Sequence, residues 1–269
     1  MTLQERVGRE VIVWAEEVGA LTMQFTEVLR KLPRVLPIVG SVRRWRATVE
    51  QMLVIGVRAL PLVGILSFCT GIILALQGVM ELRRFGAQQF VVEVVTIGFI
   101  RELAPLVTAI AVSGRSASAI AAEVGSMVAT EEIDALHVMG LNPVEFTLAP
   151  KYLATLITVP CLTVLSALCG IFAGYVFLFF DMDMNFRVYF HAVGEAILLR
   201  DVALAIAKSF VFAAIIVQVG CLEGLRVRGG PEGVGRSTTA AVVKSIFLVV
   251  FTDLIVTAIV YLTGWSSLG

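Results

Sequence analysis

The chain has 269 residues, of which 58% are hydrophobic and 16% are charged. With glycine counted as apolar and tyrosine left out, the apolar share is roughly 65%, whereas soluble domains have about 45–50% apolar and about 25% charged residues. Twenty-one basic residues balance twenty-one acidic ones, which argues against a nucleic-acid partner. The composition therefore predicts that most of the chain lies in a lipid bilayer.

Residue types that bind metals or form disulfides are scattered along the chain. The four cysteines lie in apolar stretches without a Cys-x-x-Cys pair, and His137 and His191 have no metal-ligand spacing. We therefore expect no metal and no cofactor. The first long apolar run begins only near residue 52, so we expect no secretory signal and a retained N-terminus.

At the N-terminus, apolar residues of segment 7–32 recur at helical spacing, while its acidic residues fall mostly elsewhere around the helix. This pattern predicts an amphipathic helix in the membrane interface; a soluble helix packed on a partner is the alternative. Pro33 and Pro37 end the helix, and a basic cluster follows it. Residues 1–50 are thus predicted to form an interfacial helix and a basic linker.

The remaining chain, residues 51–269, is predicted to be one membrane domain. A transmembrane helix needs about 20 mostly apolar residues. Segment 91–124 is apolar overall but contains five charged residues, and we interpret it as one long helix whose charges face protein or water, since charges facing lipid are costly. A re-entrant segment is the alternative, which would leave four spans. The other four predicted spans are residues 59–80, 152–180, 202–222 and 242–265.

The distribution of lysine and arginine predicts the orientation. The first 50 residues contain eight of them and the 225–236 loop adds three, which predicts a cytoplasmic N-terminus. The loop of residues 125–151 is an exception, because it should be cytoplasmic and yet has four acidic residues and one lysine. The preference of cytoplasmic loops for basic residues does not account for this acidic loop, so its charge needs another explanation.

Within this loop, Thr130 is predicted to cap a short helix, with Glu131 and Glu132 at its positive end and Gly140 at its C-terminus. The atypical charge of this short amphipathic helix favours docking onto another protein; an interfacial helix on the membrane is the alternative. Its predicted apolar stripe consists of Ile133, Leu136 and Met139.

Arg101 and Glu102 are predicted to lie about two to three turns into the second span. Charges inside a membrane usually mark a functional site, but a structural salt bridge that orients neighbouring helices explains this pair equally well. We interpret Lys208 and Asp253 as an inter-helix pair in the same way.

Residues 230–237 match the phosphate-loop pattern GxxxxGK[ST] except that Arg236 replaces the lysine. A phosphate loop follows a buried strand of an α/β domain, whereas predicted spans flank this segment. We therefore do not expect the chain to hydrolyse ATP alone.

Several motifs, in their order and spacing, resemble the MlaE family, the permease subunits of ABC transporters that move phospholipids between bacterial membranes. The similarity covers about residues 50–265. The motifs are Leu76-Gln77-Gly78, Arg101-Glu102-Leu103-Ala104-Pro105, Ser113-Gly114-Arg115, the run from Ala122 to Met127, the run from Thr130 to Leu136, Met139-Gly140 with Pro143, the run from Gly233 to Thr239, and Val242-Val243-Lys244-Ser245.

The resemblance implies an all-α integral membrane protein with an N-terminal elbow helix, five transmembrane helices and a short cytoplasmic coupling helix at about residues 125–150. It implies a homodimer in the bacterial inner membrane, bound to two cytoplasmic ABC ATPase subunits, with a periplasmic MCE-domain protein that exchanges phospholipid with the dimer. On this basis ATP hydrolysis belongs to a partner chain, and the permease is not itself an enzyme.

The resemblance also implies two sets of site residues. Leu74, Leu82 and Phe85 would line a lipid pocket for acyl chains, with Arg101 and Glu102 deeper, although Glu81 departs from the apolar pattern expected there. The implied ATPase-coupling interface consists of Glu123, Glu131, Glu132, Asp134, Leu136 and Met139.

Two other functions compete with lipid transport. An ion- or proton-coupled secondary transporter could use Arg101, Glu102 and Asp253 as a relay, and such proteins often contain an internal repeat. A membrane scaffold for a soluble complex would bind partners without moving any substrate.

Overall fold

The computed structural model describes residues 42–263, together with Gly19 and Thr26, so the predicted helix of residues 7–32 lies outside the continuous described part. All regular secondary structure in residues 42–263 is helical, which confirms the predicted all-α class. The α-helices are α1 (Val42–Ile55), α2 (Leu60–Arg84), α3 (Val91–Gly98), α4 (Ala104–Val112), α5 (Ser118–Ala129), α6 (Glu132–Val138), α7 (Ala149–Met182), α8 (Phe186–Ala196), α9 (Leu199–Leu225) and α10 (Pro231–Leu262).

Among the described residues, four helical stretches are long and apolar enough to cross a membrane: Trp45–Arg84, Val144–Met182, Leu199–Leu225 and Pro231–Leu262. They contain the predicted spans 59–80, 152–180 and 202–222, and residues 242–262 of the fourth. Large apolar side chains on these helices, such as Ile65, Leu168 and Leu254, are exposed. A surface of this kind is stable in lipid, and the chain is a membrane protein.

Residues 91–129 form one continuous helical segment in which α3, α4 and α5 are joined by π-helical turns at Phe99–Leu103 and Ser113–Ala117. The backbone at the junctions, Gly98, Leu103 and Val112, has right-handed helical φ and ψ angles, so the chain does not reverse within the segment. This geometry contradicts the re-entrant alternative. That the segment crosses the membrane as a fifth span stays a prediction.

The bundle has two ends that the connections define. Residues 85–90 and 183–198 lie together at one end, where Arg83 Nη2 is 2.9 Å from Asp181 Oδ2; we call this the 183–198 end. Residues 130–148 and 226–230 lie at the other, which we call the 130–148 end. The predicted domain boundary after residue 50 falls inside α1.

Glycines allow the spans to pack at very short range. A Cβ on Gly71 of α2 would lie 2.4 Å from the carbonyl oxygen of Gly170 on α7, and a Cβ on Gly224 of α9 would lie 2.7 Å from Val124 Cβ on α5. The corresponding distance from Gly220 to Ile120 Cγ2 is 3.1 Å. Small residues at these contacts therefore let the helix backbones come close together.

Helix α8 closes the 183–198 end and is held to α7 by aromatic side chains. Tyr189 is buried and its hydroxyl donates to the Ile171 carbonyl at 2.8 Å. Burial raises the pKa of the Tyr189 phenol, so that it stays protonated. Tyr175 contacts the rings of Phe186 and Phe190, which fixes α8 across the end of the bundle.

Candidate functional site

Arg101 and Glu102 lie on the π-helical turn between α3 and α4. Pro105 follows this turn; proline lacks an N–H, and in an α-helix its ring would crowd the carbonyl four residues earlier, that of Arg101. The chain widens instead, and the Ala104 N–H donates to the Phe99 carbonyl five residues back. Such π turns are rare and occur frequently at functional sites.

Arg101 pairs with Asp201 at the start of α9. Its Nε and Nη2 atoms each lie 2.6 Å from Asp201 Oδ1. Asp201 is buried, and within the described part of the chain its second oxygen, Oδ2, has no hydrogen-bond partner. The ion pair therefore holds the π turn against α9.

Glu102 belongs to a second group, the Lys208 cluster, which consists of Glu102, Lys208, Asp253 and Thr257. Lys208 on α9 is fully buried, and its Nζ lies 2.6 Å from Glu102 Oε2 and 2.9 Å from Asp253 Oδ1. The same Nζ donates to Thr257 Oγ1 at 2.8 Å. Two carboxylates thus surround one ammonium, and the cluster joins the π turn, α9 and α10.

The Lys208 cluster lies at membrane depth. Lys208 is nine residues from the start of α9 and Asp253 is nine residues from the end of α10, both counted from the 183–198 end. At 1.5 Å per residue each is about 14 Å along its helix, close to half of the roughly 30 Å hydrocarbon thickness. Charges at this depth need partners, and these have them.

The sequence correctly joined Lys208 to Asp253, but the predicted ion pair between Arg101 and Glu102 is wrong. These neighbours do not form one ion pair; Arg101 pairs with Asp201 and Glu102 with Lys208. Asp201 and Thr257 were missed, because an aspartate at a helix start and a threonine in an apolar helix are unremarkable in sequence. Glu102 keeps 38% of its side chain exposed, so the cluster remains accessible from one side.

The three predicted acyl-chain residues occupy different environments in the single chain. Leu74 and Leu82 are half-buried against an apolar cluster that includes Val91 and Val95 of α3, and Phe85 is 79% exposed just after α2. A neighbouring open cavity of about 520 Å³ lies between α2 and α7, on another face of α2. Its lining residues are Leu76, Val79, Met80, Arg83, Arg84, Phe177 and Asp181.

The 130–148 connection contains the short helix α6, as predicted. Gly140 has φ +71° and ends it, with the Leu141 N–H donating to the Leu136 carbonyl. The predicted cap is wrong: Thr130 Oγ1 donates back to the Ser126 carbonyl, and Glu131, in the left-handed region, precedes the helix without a side-chain cap. Thr130 continues the hydrogen bonding of α5 instead.

The surface of α6 is open. Its acidic residues are exposed, as are Ala135 and Val138, and Val138 is among the most exposed apolar residues of the described chain, while Ile133 and Leu136 are half-buried. Within the connection, Glu132 Oε1 lies 3.3 Å from Thr130 Oγ1. Of the predicted coupling residues on α6 and its end, Glu131, Glu132, Asp134 and Met139 are exposed and Leu136 is half-buried.

Glu123, the remaining predicted coupling residue, is about half exposed and contacts the bundle through its carboxylate. Its Oε2 lies 2.6 Å from Nζ of Lys151, and Gln51 Nε2 donates to Oε1 at 3.2 Å. Lys151 and Gln51 were not predicted as site residues. In the sequence, Lys151 stands out only as the single basic residue of the acidic loop 125–151.

The segment that partly matches a phosphate loop, residues 230–237, consists of Gly230 and the first two turns of α10, and the helix that precedes it is α9. Ser237, at the serine position of the pattern, is buried and donates to the Glu223 carbonyl. A Cβ on Gly233 would lie 2.1 Å from the Arg228 carbonyl oxygen, so the preceding loop folds tightly over the first turn of α10. This glycine serves packing within the chain.

The helices, the buried ion pairs and the open connection define a polytopic α-helical membrane protein. Residues 48–259 match the family model described as Permease MlaE. The chain is 31% identical over 264 residues to a probable ABC transporter permease protein of Rickettsia typhi, covering 97% of this chain and 98% of that protein. It is 34% identical over 231 residues to a probable ABC transporter permease protein of Synechocystis, covering 86% and 88%.

A third relative is the chloroplast protein TRIGALACTOSYLDIACYLGLYCEROL 1 of Arabidopsis thaliana, 31% identical over 234 residues that cover 87% of this chain and 67% of that protein. The chain belongs to the MlaE family of ABC transporter permeases. Membership in an ABC transporter family implies an ATPase partner.

Proposed function

We propose that this permease moves phospholipid between the membrane and a periplasmic MCE-domain protein, as a homodimer driven by two cytoplasmic ATPase subunits. The observation that carries this proposal is the MlaE-family match across residues 48–259. The name of the Arabidopsis relative, which is that of a galactolipid, supports a lipid substrate. The chain itself supplies transport and leaves hydrolysis of ATP to its partner.

The proposed location is the bacterial inner membrane, with the N-terminus and the 130–148 end in the cytoplasm. The excess of basic residues before residue 50 and in the 225–236 loop supports this orientation. Exposed α6 then faces the ATPase. The 183–198 end faces the periplasm, where an MCE-domain protein would contact it.

The proposed lipid route follows Leu74, Leu82 and Phe85 toward Arg101 and Glu102. In a dimer, the exposed ring of Phe85 can contact the partner copy or a lipid that lies between the copies. An apolar cavity with a few polar groups suits acyl tails and a headgroup. Glu102, the accessible member of the Lys208 cluster, supplies such a polar group.

The experiment is ATP-driven lipid transfer by the purified complex in lipid vesicles, combined with photocrosslinking. A crosslinker at Phe85 should capture phospholipid more stably than one at Leu168. Both residues are exposed and apolar, but Leu168 lies on the spanning helix α7 away from the proposed route. Leu82→Arg should impair transport without releasing the ATPase, because a charge disrupts tail packing while the opposite end is unchanged. Normal transport by Leu82→Arg, together with equal capture at both positions, would contradict this route.

A proton- or ion-coupled transporter is the second candidate, and the Lys208 cluster favours it, since two carboxylates around a lysine resemble a relay. The two candidates differ in their energy source. Transport in vesicles that lack any ATPase but have an ion gradient would favour the relay, and strict dependence on ATP would favour the first proposal.

A further inference from the structure

Glu123, Lys151 and Gln51 form a polar group, the base clamp, where the 130–148 connection joins the bundle. Glu123 lies on α5, seven residues before the connection, and Lys151 lies three residues after it in the first turn of α7. Gln51 belongs to α1. The clamp therefore joins both ends of the connection to a third helix.

The two charges of the clamp differ in burial, which determines how they depend on each other. The Lys151 side chain is 1% exposed, whereas that of Glu123 is 47% exposed. Lys151 is next to Tyr152 in sequence and close to Cys221, which belong to one apolar cluster, and Glu123 is the ion-pair partner that the described residues provide. A buried ammonium needs its counter-charge much more than a half-exposed carboxylate does.

Helix α1 has two further bonds to the same region. Arg115 Nη1 donates to the Val54 carbonyl at 3.0 Å, and Ser116 Oγ donates to the Ile55 carbonyl at 3.2 Å. Both donors lie on the π turn that precedes α5. Together with the bond from Gln51 to Glu123, they tie α1 to the 91–129 segment at three positions.

We propose that the base clamp transmits movement of α6 to the membrane helices, and that Glu123 is a positioning residue within the chain. This inference rests on the proposed function. When a partner displaces α6, the intact base clamp makes α5 and α7 move together, and α1 moves with them. Without the clamp, α6 can move while the membrane helices stay in place. Coupling between α6 and the membrane helices requires a structural element whose position both of them influence. The clamp is such an element, because α5, α7 and α1 meet there.

The test compares four forms of the chain in complex with its ATPase. Glu123→Gln leaves the buried ammonium unpaired, so the thermal midpoint should fall while the ATPase still copurifies. The double variant Glu123→Gln/Lys151→Met removes both charges, so the midpoint should return toward that of the unmodified chain. Glu50→Gln is the matched control, because Glu50 is an exposed acidic residue on α1 that pairs with Arg46 outside the clamp.

The decisive measurement is the amount of lipid moved per ATP hydrolysed. We expect the double variant to be folded and bound to the ATPase but to show a ratio lower by at least about threefold, while the control keeps the original ratio. An unchanged ratio in the double variant would show that the pair is structural only. Loss of the ATPase from a folded Glu123→Gln variant would show that Glu123 contacts the ATPase instead.

Failure of the proposed function gives a different result. If the unmodified complex hydrolyses ATP but moves no lipid, the proposed function is wrong. The proposed role of the clamp is then tested by the change in ATPase rate that the permease causes when it binds the ATPase. If the double variant changes the ATPase rate as much as the unmodified chain does, the proposed role of the clamp is also wrong.

Discussion

Carboxylates occur in two contrasting regions of this permease. In the Lys208 cluster, Glu102 and Asp253 lie within 2.9 Å of a fully buried ammonium and join three helical segments at membrane depth. On α6, Glu132 and Asp134 are exposed on a seven-residue helix that has no buried residue. The same chemical group stabilises the bundle in one place and leaves a surface open to a partner in the other.

This contrast separates two uses of charge. Ion pairs in a low-dielectric interior are strongly coupled, because each charge that loses its partner cannot be solvated. Exposed charges contribute little to folding and act mainly on association. Substitutions in the two regions should therefore affect different measurements, and the following predictions are ordered by their expected effect on stability.

The largest effect is expected for Lys208→Met. The substitution leaves Glu102 and Asp253 close together without a cation inside the bundle, and we expect a loss of about 3–5 kcal/mol in the free energy of unfolding. Unfolding of the purified chain in detergent measures it. Lys208→Met with both Glu102→Gln and Asp253→Asn should regain much of the loss, and a single variant as stable as the original would contradict the buried-charge interpretation.

The second prediction tests whether the bundle between the two regions can rearrange. Gly71→Ala would bring a Cβ within 2.4 Å of the Gly170 backbone, which cannot move as a side chain can. We expect a loss of about 1–3 kcal/mol. Gly64→Ala is the control, because it lies on the same helix with nothing within 4 Å of the added Cβ. Equal stability of the two variants would mean that α2 and α7 separate easily.

A smaller effect is expected for Asp253→Asn, because Lys208 keeps Glu102 at 2.6 Å and Thr257 at 2.8 Å. The loss should be about 1 kcal/mol, well below that of Lys208→Met. Thermal unfolding of the two variants side by side gives the comparison. Equal losses would mean that Asp253 rather than Glu102 neutralises the lysine.

Much of the fold follows from the sequence, because apolar runs of about 20 or more residues with few or no charges report directly on membrane spans. The mixed segment 91–124 is also predicted to be one helix, which the structure continues to Ala129, and Pro105 explains its first π turn once the structure is known. The apolar pattern gives helices but not which helices are neighbours. The packing of Gly71 against Gly170, where an added Cβ would lie 2.4 Å from the Gly170 carbonyl oxygen, depends on that arrangement.

The site was less predictable, since a lone charge in a span does not identify its partner. Lys208 and Asp253 were paired correctly, but Arg101 and Asp201 are one hundred residues apart and meet only through the packing of α9. Lys151 was not identified for a similar reason: its partner Glu123 lies on α5, on the other side of the 130–148 connection, and only the packing of the chain brings the two together. Thr130 fits a cap by residue type, yet α5 continues through it.

The smallest effect on stability is expected for Glu131→Lys/Glu132→Lys on the exposed connection. Both side chains lie outside the bundle, so the free energy of unfolding should change by no more than about 0.5 kcal/mol. The ATPase should bind at least about tenfold more weakly, because charge reversal places like charges where opposite ones are proposed to meet. Copurification and a binding titration measure this, with Glu195→Lys on α8 at the other end as the control, since it is also exposed. Full ATPase binding by the double variant would show that the partner docks elsewhere. Loss of stability instead would show that α6 belongs with the buried region, and the contrast between the two regions would then fail.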